Sequence, residues 1–263
     1  MDQINPEQMK KTALITGATS GLGKAIALRL AKEGINVIIT GRRSERLDGL
    51  EKEIESKYES KVYSLCFDVR KYDEAESAVN SLPEEWRNID ILVNNAGLAV
   101  GLDPIHQGVV DDWERMIDTN VKGLLYVTRV VSPTMVTRKS GHIINIGSVA
   151  GKAVYPNGAV YCATKHAVNA LHQGMRMDFL PYNIRVTQIC PGAVDTEFSL
   201  VRFKGDQGRA DKVYDGYENL VADDIAEAVY YAVSQPPHVD IQDLLIMPTA
   251  QATGNMFHKE EEK

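Results

Sequence analysis

In the stretch YCATK, Tyr161 stands four residues before Lys165, and Ser148 lies thirteen residues upstream in IGSVAG. A phenol, an ammonium group and a hydroxyl so spaced are candidates for moving a proton to or from an oxygen. A tyrosine at its ordinary pKa of about 10 is a poor base at neutral pH. The pair therefore does chemistry only where the chain also supplies a cofactor, a pocket and a reason for the phenol to ionise. Without those, one turn of any helix can hold a half-buried tyrosine and a solvated lysine.

The cofactor signal lies near the start. TALITGATSGLGKAIALRLAKEG reads as strand, glycine turn and helix. Gly17 permits a tight turn out of the strand, Gly21 lets backbone approach a pyrophosphate, and Gly23 lets the helix pack closely on the sheet. The helix then offers unpaired N–H groups and its positive end to phosphates. Leu22, Ile26 and Leu30 share its buried face, and Gly34 is placed to end it. Three glycines at this spacing predict dinucleotide binding rather than a bare turn.

The end of the second apolar run, NVIITGRR, discriminates between dinucleotides. An NAD-binding chain would carry an acid there for the ribose 2′-hydroxyl. Arg42 and Arg43 instead offer planar donor forks to a 2′-phosphate, so NADP is the expected cofactor. The other reading leaves both arginines solvated at a helix start, where cations are slightly unfavourable. Asp68, in FDV at the end of the third run, is placed either to accept from the adenine amine or to cap a helix.

Seven apolar runs must position these groups: TALIT, INVIIT, KVYSLCF, IDILVNNAG, GHIINIG, NIRVTQIC and DLLIMP. Helical patterns lie between them. Leu47, Leu50, Ile54 and Tyr58 mark one, and longer ones cover about 111–138 and 160–180. The alternation implies βαβ crossovers, and runs apolar throughout imply strands buried on both sides. The expected fold is α/β: a single doubly wound Rossmann-type domain over residues 1–263, with a seven-stranded parallel sheet and helices on both faces. The stretch after ICPG, about 193–222, has no clear period and follows a strand end. Open sheets bind ligands there, so a lid is expected. A flexible tail is expected from about 254, ending in the solvated run HKEEEK.

A net charge of −7 and a pI near 5.4 argue against nucleic acid or an anionic membrane as partner. No apolar run approaches the ~18 residues of a membrane span. The start, MDQINPEQMKK, lacks the apolar core of a secretory signal. Cys66, Cys162 and Cys190 are odd in number and scattered. They fit small packing residues in a reducing, cytoplasmic setting better than disulfides or a metal site, and no metal is expected. Trp86 and Trp113 are expected as core or interface anchors, while His142 and His166 need no role beyond packing or surface.

The chain resembles the short-chain dehydrogenase/reductase family. The motif from Thr16 to Gly23, Asn94-Asn95-Ala96-Gly97, Asn120 in DTNVKG, Ser148, and Tyr161 with Lys165 stand in that family's order and spacing. The resemblance covers about residues 11–248. NNAGLAVGLDP, DDWERMIDTNVKGLLYVTR, GHIINIGSVAG, TEFSLVRFKGD and PPHVDI are similar to the family's branch of NADP-dependent 3-hydroxy acid dehydrogenases. That branch acts on serine, L-allo-threonine and 3-hydroxypropionate-type substrates.

The resemblance implies Tyr161 as general acid/base at the substrate oxygen, with Lys165 and a positive nicotinamide favouring its phenolate. Lys165 would also hold the nicotinamide ribose, Ser148 would orient the substrate oxygen, and Asn120 would kink its helix and fix a water. Implied cofactor contacts in the glycine loop are Gly17, Thr19, Ser20, Gly21, Leu22 and Gly23. Arg42, Arg43, Asp68 and Val69 would follow. Asn94, with Ala96 and Gly97, would stand beside the adenine ribose, and Asn95 would brace the sheet or share that place. Pro191, Gly192, Val194 and Thr196 would hold the nicotinamide amide.

In the lid, Arg202 and Lys204 either meet a substrate carboxylate or are solvated loop charges. A homotetramer packed through the long helices and the last strand is implied. One rival is a reductase of acyl-carrier or sugar carbonyls, against which the VRFKGD lid favours a small polar acid. The other is a non-catalytic NADP-sensing regulator, which would not need the complete set of Asn120, Ser148, Tyr161 and Lys165.

Overall fold

Short runs rich in Val, Ile and Leu form the strands of the computed structural model, which describes residues 10–259. They are β1 (Thr12–Ile15), β2 (Asn36–Gly41), β3 (Val62–Cys66), β4 (Ile91–Asn94), β5 (Gly141–Ile146), β6 (Ile184–Pro191) and β7 (Asp243–Ile246). The sheet order is β3-β2-β1-β4-β5-β6-β7, and every pairing is parallel. The chain runs outward from β1 to β3, then returns to set β4 on β1's other side. Ile15 pairs with Val93, so the turns after both strands open into one crevice, where such sheets bind ligands.

Alternate residues of the strands face opposite layers. Ile15, Ile39 and Val93 pack with Ile26 and Leu30 of α1 (Gly21–Lys32), Leu47 and Ile54 of α2 (Ser44–Lys57) and Val229 of α9 (Ala222–Ser234). Leu14, Ile38 and Leu92 face the other way. They meet Ala75 of α3 (Tyr72–Asn80), Val127 of α5 (Leu124–Arg138) and Val168 of α6 (Ala159–Phe179). Each fully buried Leu or Ile contributes about 1.5–3 kcal/mol. These two layers hold the strand ends rigidly.

Four local features differ from the sequence reading. The helical pattern over 111–138 is not one helix: α4 (Val110–Ile117) and α5 are joined by a π-helical segment, Asp118–Gly123. The stretch 193–222 holds two short helices, α7 (Glu197–Arg202) and α8 (Gln207–Asp211). Instead of a flexible tail from about 254, a paired turn follows β7. Gln251 bridges Phe257, and Ala252 N–H donates to the Met256 carbonyl at 2.9 Å. Cys66 is exposed rather than packed, whereas Cys162 and Cys190 are buried. Residues 1–9 and 260–263, with most of the polar start and the end of the charged tail, lie outside the described residues.

Trp86 is a core residue against Tyr63, and Trp113 packs beside the cluster that holds Tyr161. His142 is buried, its Nε2 within 2.8 Å of the Thr187 hydroxyl, and His166 Nδ1 lies 2.8 Å from the Cys162 carbonyl. Among the described residues, no helix is long and apolar enough to cross a membrane, and no group of three or more acidic, His or Cys side chains could hold a metal ion.

Candidate active site

The loop between β1 and α1 takes its shape from its glycines. Gly17 has φ +67, and a Cβ on Gly23 would collide with the Gly17 carbonyl oxygen. Ser20 precedes α1 in extended conformation without a side-chain cap. The first N–H groups of the helix therefore point at the crevice with no side-chain oxygen satisfying them. Asn95 holds this loop from the next strand: its Nδ2 donates to the carbonyls of Thr16 at 2.8 Å and Gly17 at 3.2 Å. Thr16 Oγ1 accepts in turn from the N–H groups of Asn95 and Ala96.

Asn94, expected beside the adenine ribose, is turned the other way. Its Nδ2 donates to Thr128 Oγ1 at 2.9 Å and Asn145 Oδ1 at 3.0 Å, inside the core layer of α5. Successive residues at a strand end face opposite sides, so the neighbour Asn95 lines the crevice instead. Asn94 thus braces β4 against β5 and α5, while Asn95 holds the glycine loop and takes the crevice position.

A continuous cavity of about 650 Å³ runs from the glycine loop to Tyr161, with Leu22, Val69 and Gly97 on its wall. At one mouth Arg43 donates through Nη2 to Thr19 Oγ1 at 2.7 Å and to Ser20 Oγ at 3.1 Å. Arg42 is 59% exposed, with Nη1 3.9 Å from Asp68 Oδ2. Arg46, one turn further along, donates to both oxygens of Glu197 at 3.0 and 2.9 Å. It does not line the cavity; it holds Glu197 of the segment 197–202, which does, with Arg43 Nη1 3.8 Å from the same carboxylate. Asp68 does not cap α3, which follows Lys71. Burial would raise its carboxyl, but hydrogen bonds from Arg70, with the charges of Arg70 and Arg42, hold it below the usual range.

The other end contains the proton-transfer candidates. Asn120 lies in the π-helical segment, buried behind the cavity wall at Gly97, where a Cβ would stand 3.3 Å from its Oδ1. Its Oδ1 accepts from Leu98 N–H at 2.8 Å, and its Nδ2 donates to the Leu98 carbonyl at 2.9 Å and Thr164 Oγ1 at 3.0 Å. Ser148 lies two residues past β5, capping the turn Val149–Gly151, and its Oγ accepts from Ala150 N–H at 3.1 Å. Tyr161 and Lys165 lie on one face of α6, both buried.

Burial pushes the Tyr161 phenol far above its ordinary value, and Tyr155 adds to this. The Arg202 charge and a hydrogen bond with Ser148 act in the opposite direction. Burial lowers Lys165 to about 8, opposed by Cys190, and its Nζ donates to the Ile146 carbonyl at 2.9 Å. Lys165 Nζ is 6.0 Å from the Tyr161 ring centroid, whereas the Arg202 guanidinium carbon is 5.1 Å away. The nearer cation comes from the lid.

Arg202 is held by side chains that no local motif announces. Its Nη2 donates to the Tyr155 hydroxyl at 2.8 Å, and it lies 5.4 Å from the Phe198 ring centroid. Tyr155 is tightly set, since a Cβ on Gly158 would overlap its ring and one on Gly254 would press on it at 3.0 Å. Arg202 Nε is buried without a hydrogen-bond partner among the described residues. Lys204, by contrast, does not line the cavity; its Nζ lies 2.7 Å from Asp112 Oδ2. Lys204 is thus neither a carboxylate contact in the cavity nor a solvated loop charge: its partner is the buried carboxylate of Asp112.

Pro191, Gly192, Val194 and Thr196 line the wall between Tyr161 and the glycine loop. Gln251, from the turn after β7, accepts from Ala193 N–H through Oε1 at 2.8 Å. Thr196 caps α7, its Oγ1 accepting from Phe198 N–H at 3.3 Å.

The cavity fits a dinucleotide. It joins an anion-receptive helix start to a basic mouth at one end and a buried Ser–Tyr–Lys set at the other. That combination on a parallel sheet defines an oxidoreductase of the nicotinamide-dependent kind. The chain belongs to the short-chain dehydrogenase family, whose model matches residues 11–206.

Within that family, it is 50% identical over 244 residues to the NADP-dependent 3-hydroxy acid dehydrogenase YdfG of Escherichia coli strain K12, covering 92% of this chain and 97% of the relative. It is 45% identical to the serine 3-dehydrogenase of Agrobacterium fabrum, over 93% of this chain and 96% of that protein. Among solved structures, the closed form of serine dehydrogenase complexed with NADP+ superposes with a TM-score of 0.89 at 48% identity. It covers 95% of this chain and all of the other.

Proposed function

We propose that this chain is an NADP-dependent dehydrogenase of small 3-hydroxy acids, moving hydride between the nicotinamide and the carbon that bears the substrate oxygen. The observation that carries the reading is the Arg202 guanidinium, held by Tyr155 beside the Tyr161 ring with a buried Nε that has no partner among the described residues. A cation so placed suits a carboxylate near an oxygen that Tyr161 and Ser148 address. Two relatives, named for 3-hydroxy acids and for serine, support the same class.

When bound, NADP supplies the hydride acceptor or donor. The glycine loop and the start of α1 would hold its pyrophosphate, Arg42 and Arg43 the 2′-phosphate, and Lys165 the nicotinamide ribose. Ser148 orients the substrate hydroxyl by a hydrogen bond. Tyr161 takes the hydroxyl proton during oxidation and returns one during reduction. Asn120 ties the loop at Leu98 to Thr164 on α6, so the helix carrying Tyr161 and Lys165 is fixed relative to the β4 end. Its backbone position in the π-helical segment suits the water-holding role implied by the family.

A panel with NADP across serine, allo-threonine, 3-hydroxybutyrate and a neutral secondary alcohol tests the class. Arg202→Met should raise KM for the hydroxy acids by about tenfold or more, because a charged hydrogen bond contributes about 1.5–3 kcal/mol. The neutral alcohol should change much less. Equal losses on both would assign Arg202 a general lid or cofactor role.

We further propose that the chain is a single cytoplasmic enzyme domain that assembles as a homotetramer. Three thiols outside any disulfide support a reducing compartment. Met177 and Leu180 on or beside α6 are 69% and 77% exposed, and Leu245 on β7 is 51% exposed, as unpartnered packing faces would be. Light scattering at micromolar concentration should give about four times the 29.1 kDa chain mass. A monomer would refute the assembly.

A further inference from the structure

Asp112, in the first turn of α4, is only 3% exposed and stands outside the wall of the main cavity. A buried carboxylate needs a partner. Its nearest cation is Lys204 of the lid, with Nζ 2.7 Å from Oδ2, while Arg115 Nη1 is 3.8 Å from Oδ1. The Lys204 contact is a charge pair off the line of a directed hydrogen bond.

A second tie joins the same two segments. Gly101 N–H, on the way from β4 to α4, donates to the Arg202 carbonyl at 3.0 Å. Both ties fall at the C-terminal end of α7, at positions 202 and 204, and the side chain at 202 lines the cavity.

The third observation is in the backbone. The end of α7 closes by Gly205 N–H donating to the Leu200 carbonyl at 2.9 Å and Lys204 N–H donating to the Val201 carbonyl at 3.1 Å. This arrangement puts Lys204 in left-handed conformation, φ +54, at the place glycine ordinarily fills. A lysine there is conformationally unfavourable. What compensates is the reach of its side chain to Asp112.

We propose that Asp112 and Lys204 form the catch that seats the lid, which makes Lys204 a positioning residue setting the Arg202 guanidinium beside Tyr161. The proposal rests on the reading of Arg202 as the carboxylate contact. Lys204 never touches substrate; it determines how often Arg202 is in place when substrate arrives. Closure then depends on an ion pair with one buried partner, so added salt weakens it less than a fully exposed pair.

The test uses the full chain with NADP and compares Lys204→Met, Asp112→Asn, the double variant and Lys204→Arg. Two quantities are read: kcat and KM for 3-hydroxybutyrate, and the rate at which subtilisin cuts between residues 197 and 211. Each single substitution should raise KM by about tenfold and speed lid cleavage, and the double should be no worse than either single. Lys204→Arg should behave nearly as the parent chain.

Additive effects in the double variant would overturn the catch. So would a raised KM with unchanged cleavage in Lys204→Met, which would make Lys204 a direct substrate contact. Lys204 is half exposed, so its variants fold even where Asp112→Asn does not, and the contrast between Met and Arg then decides alone. Equal behaviour of those two overturns the proposal. If Arg202→Met fails to separate acids from neutral alcohols, the carboxylate reading falls, while the coupled cleavage rates still judge the catch.

Discussion

Tyr161→Phe should bind NADP as the parent chain does and lose turnover by about 10²–10⁴-fold, the span of general acid–base contributions. The ring itself is structural. It packs against Phe198 with centroids 5.8 Å apart and sits in a cluster with Leu98, Ala150 and Met116, all of which phenylalanine preserves. Only the proton carrier is lost. Cofactor binding by fluorescence, measured beside kcat, separates the two effects, and near-normal turnover would sink the assigned mechanism. The sign of the pH dependence follows from the raised phenol. A neutral tyrosine is ready to donate, so reduction should run well at neutral pH and fall as alkali ionises it. Oxidation needs the phenolate and should rise with pH over the same range.

The second large effect is on cofactor choice. The parent chain should favour NADP over NAD by at least about tenfold in kcat/KM, since each charge-assisted hydrogen bond to the 2′-phosphate contributes about 1.5–3 kcal/mol. Arg42→Leu combined with Arg43→Leu should abolish that preference. The obvious conversion, an acid at position 41, meets an obstacle: a Cβ on Gly41 would stand 2.5 Å from the Thr19 methyl group. Thr19 in turn accepts from Arg43, so moving it disturbs the mouth further. The leucine pair avoids this clash. A retained NADP preference in the double variant would sink the reading of the arginine pair as the phosphate contact.

The strands were readable because each is a short run with apolar residues at most central positions and helical patterns on either side, and the glycine loop because its spacing has a physical reason at each position. The catalytic set was readable because its spacing lies within single helices and strand ends. What escaped depends on long-range contact. Asn94 and Asn95 are chemically identical neighbours, and only the pleat of β4 decides which faces the crevice. Arg202 and Lys204 look alike in the lid until Tyr155 and Asp112, far away in sequence, claim one each. The turn carrying Gln251 reads as a polar end, yet it holds Ala193 from 58 positions away. The break in the pattern over 111–138 is marked locally only by the single Gly123. The side chain inside it, Asn120, is bonded to Leu98 and Thr164, contacts that the local sequence does not announce.

That π-helical segment, Asp118–Gly123, has a consequence for chain length. A π turn accommodates one residue more than an α turn, at poorer hydrogen-bond geometry. A single-residue deletion inside it would let α4 run straight into α5 with better backbone bonding. It would also rotate one half of the rod against the other by about 100°, the angle one α-helical residue subtends. Asn120 would then leave Leu98, and the β4 end would lose its tie to α6. The same rotation would swing Val127 and Val131 off the sheet, so the shortened chain would lose heat resistance along with turnover. The extra residue keeps the apolar face of α5 and the amide of Asn120 in register together.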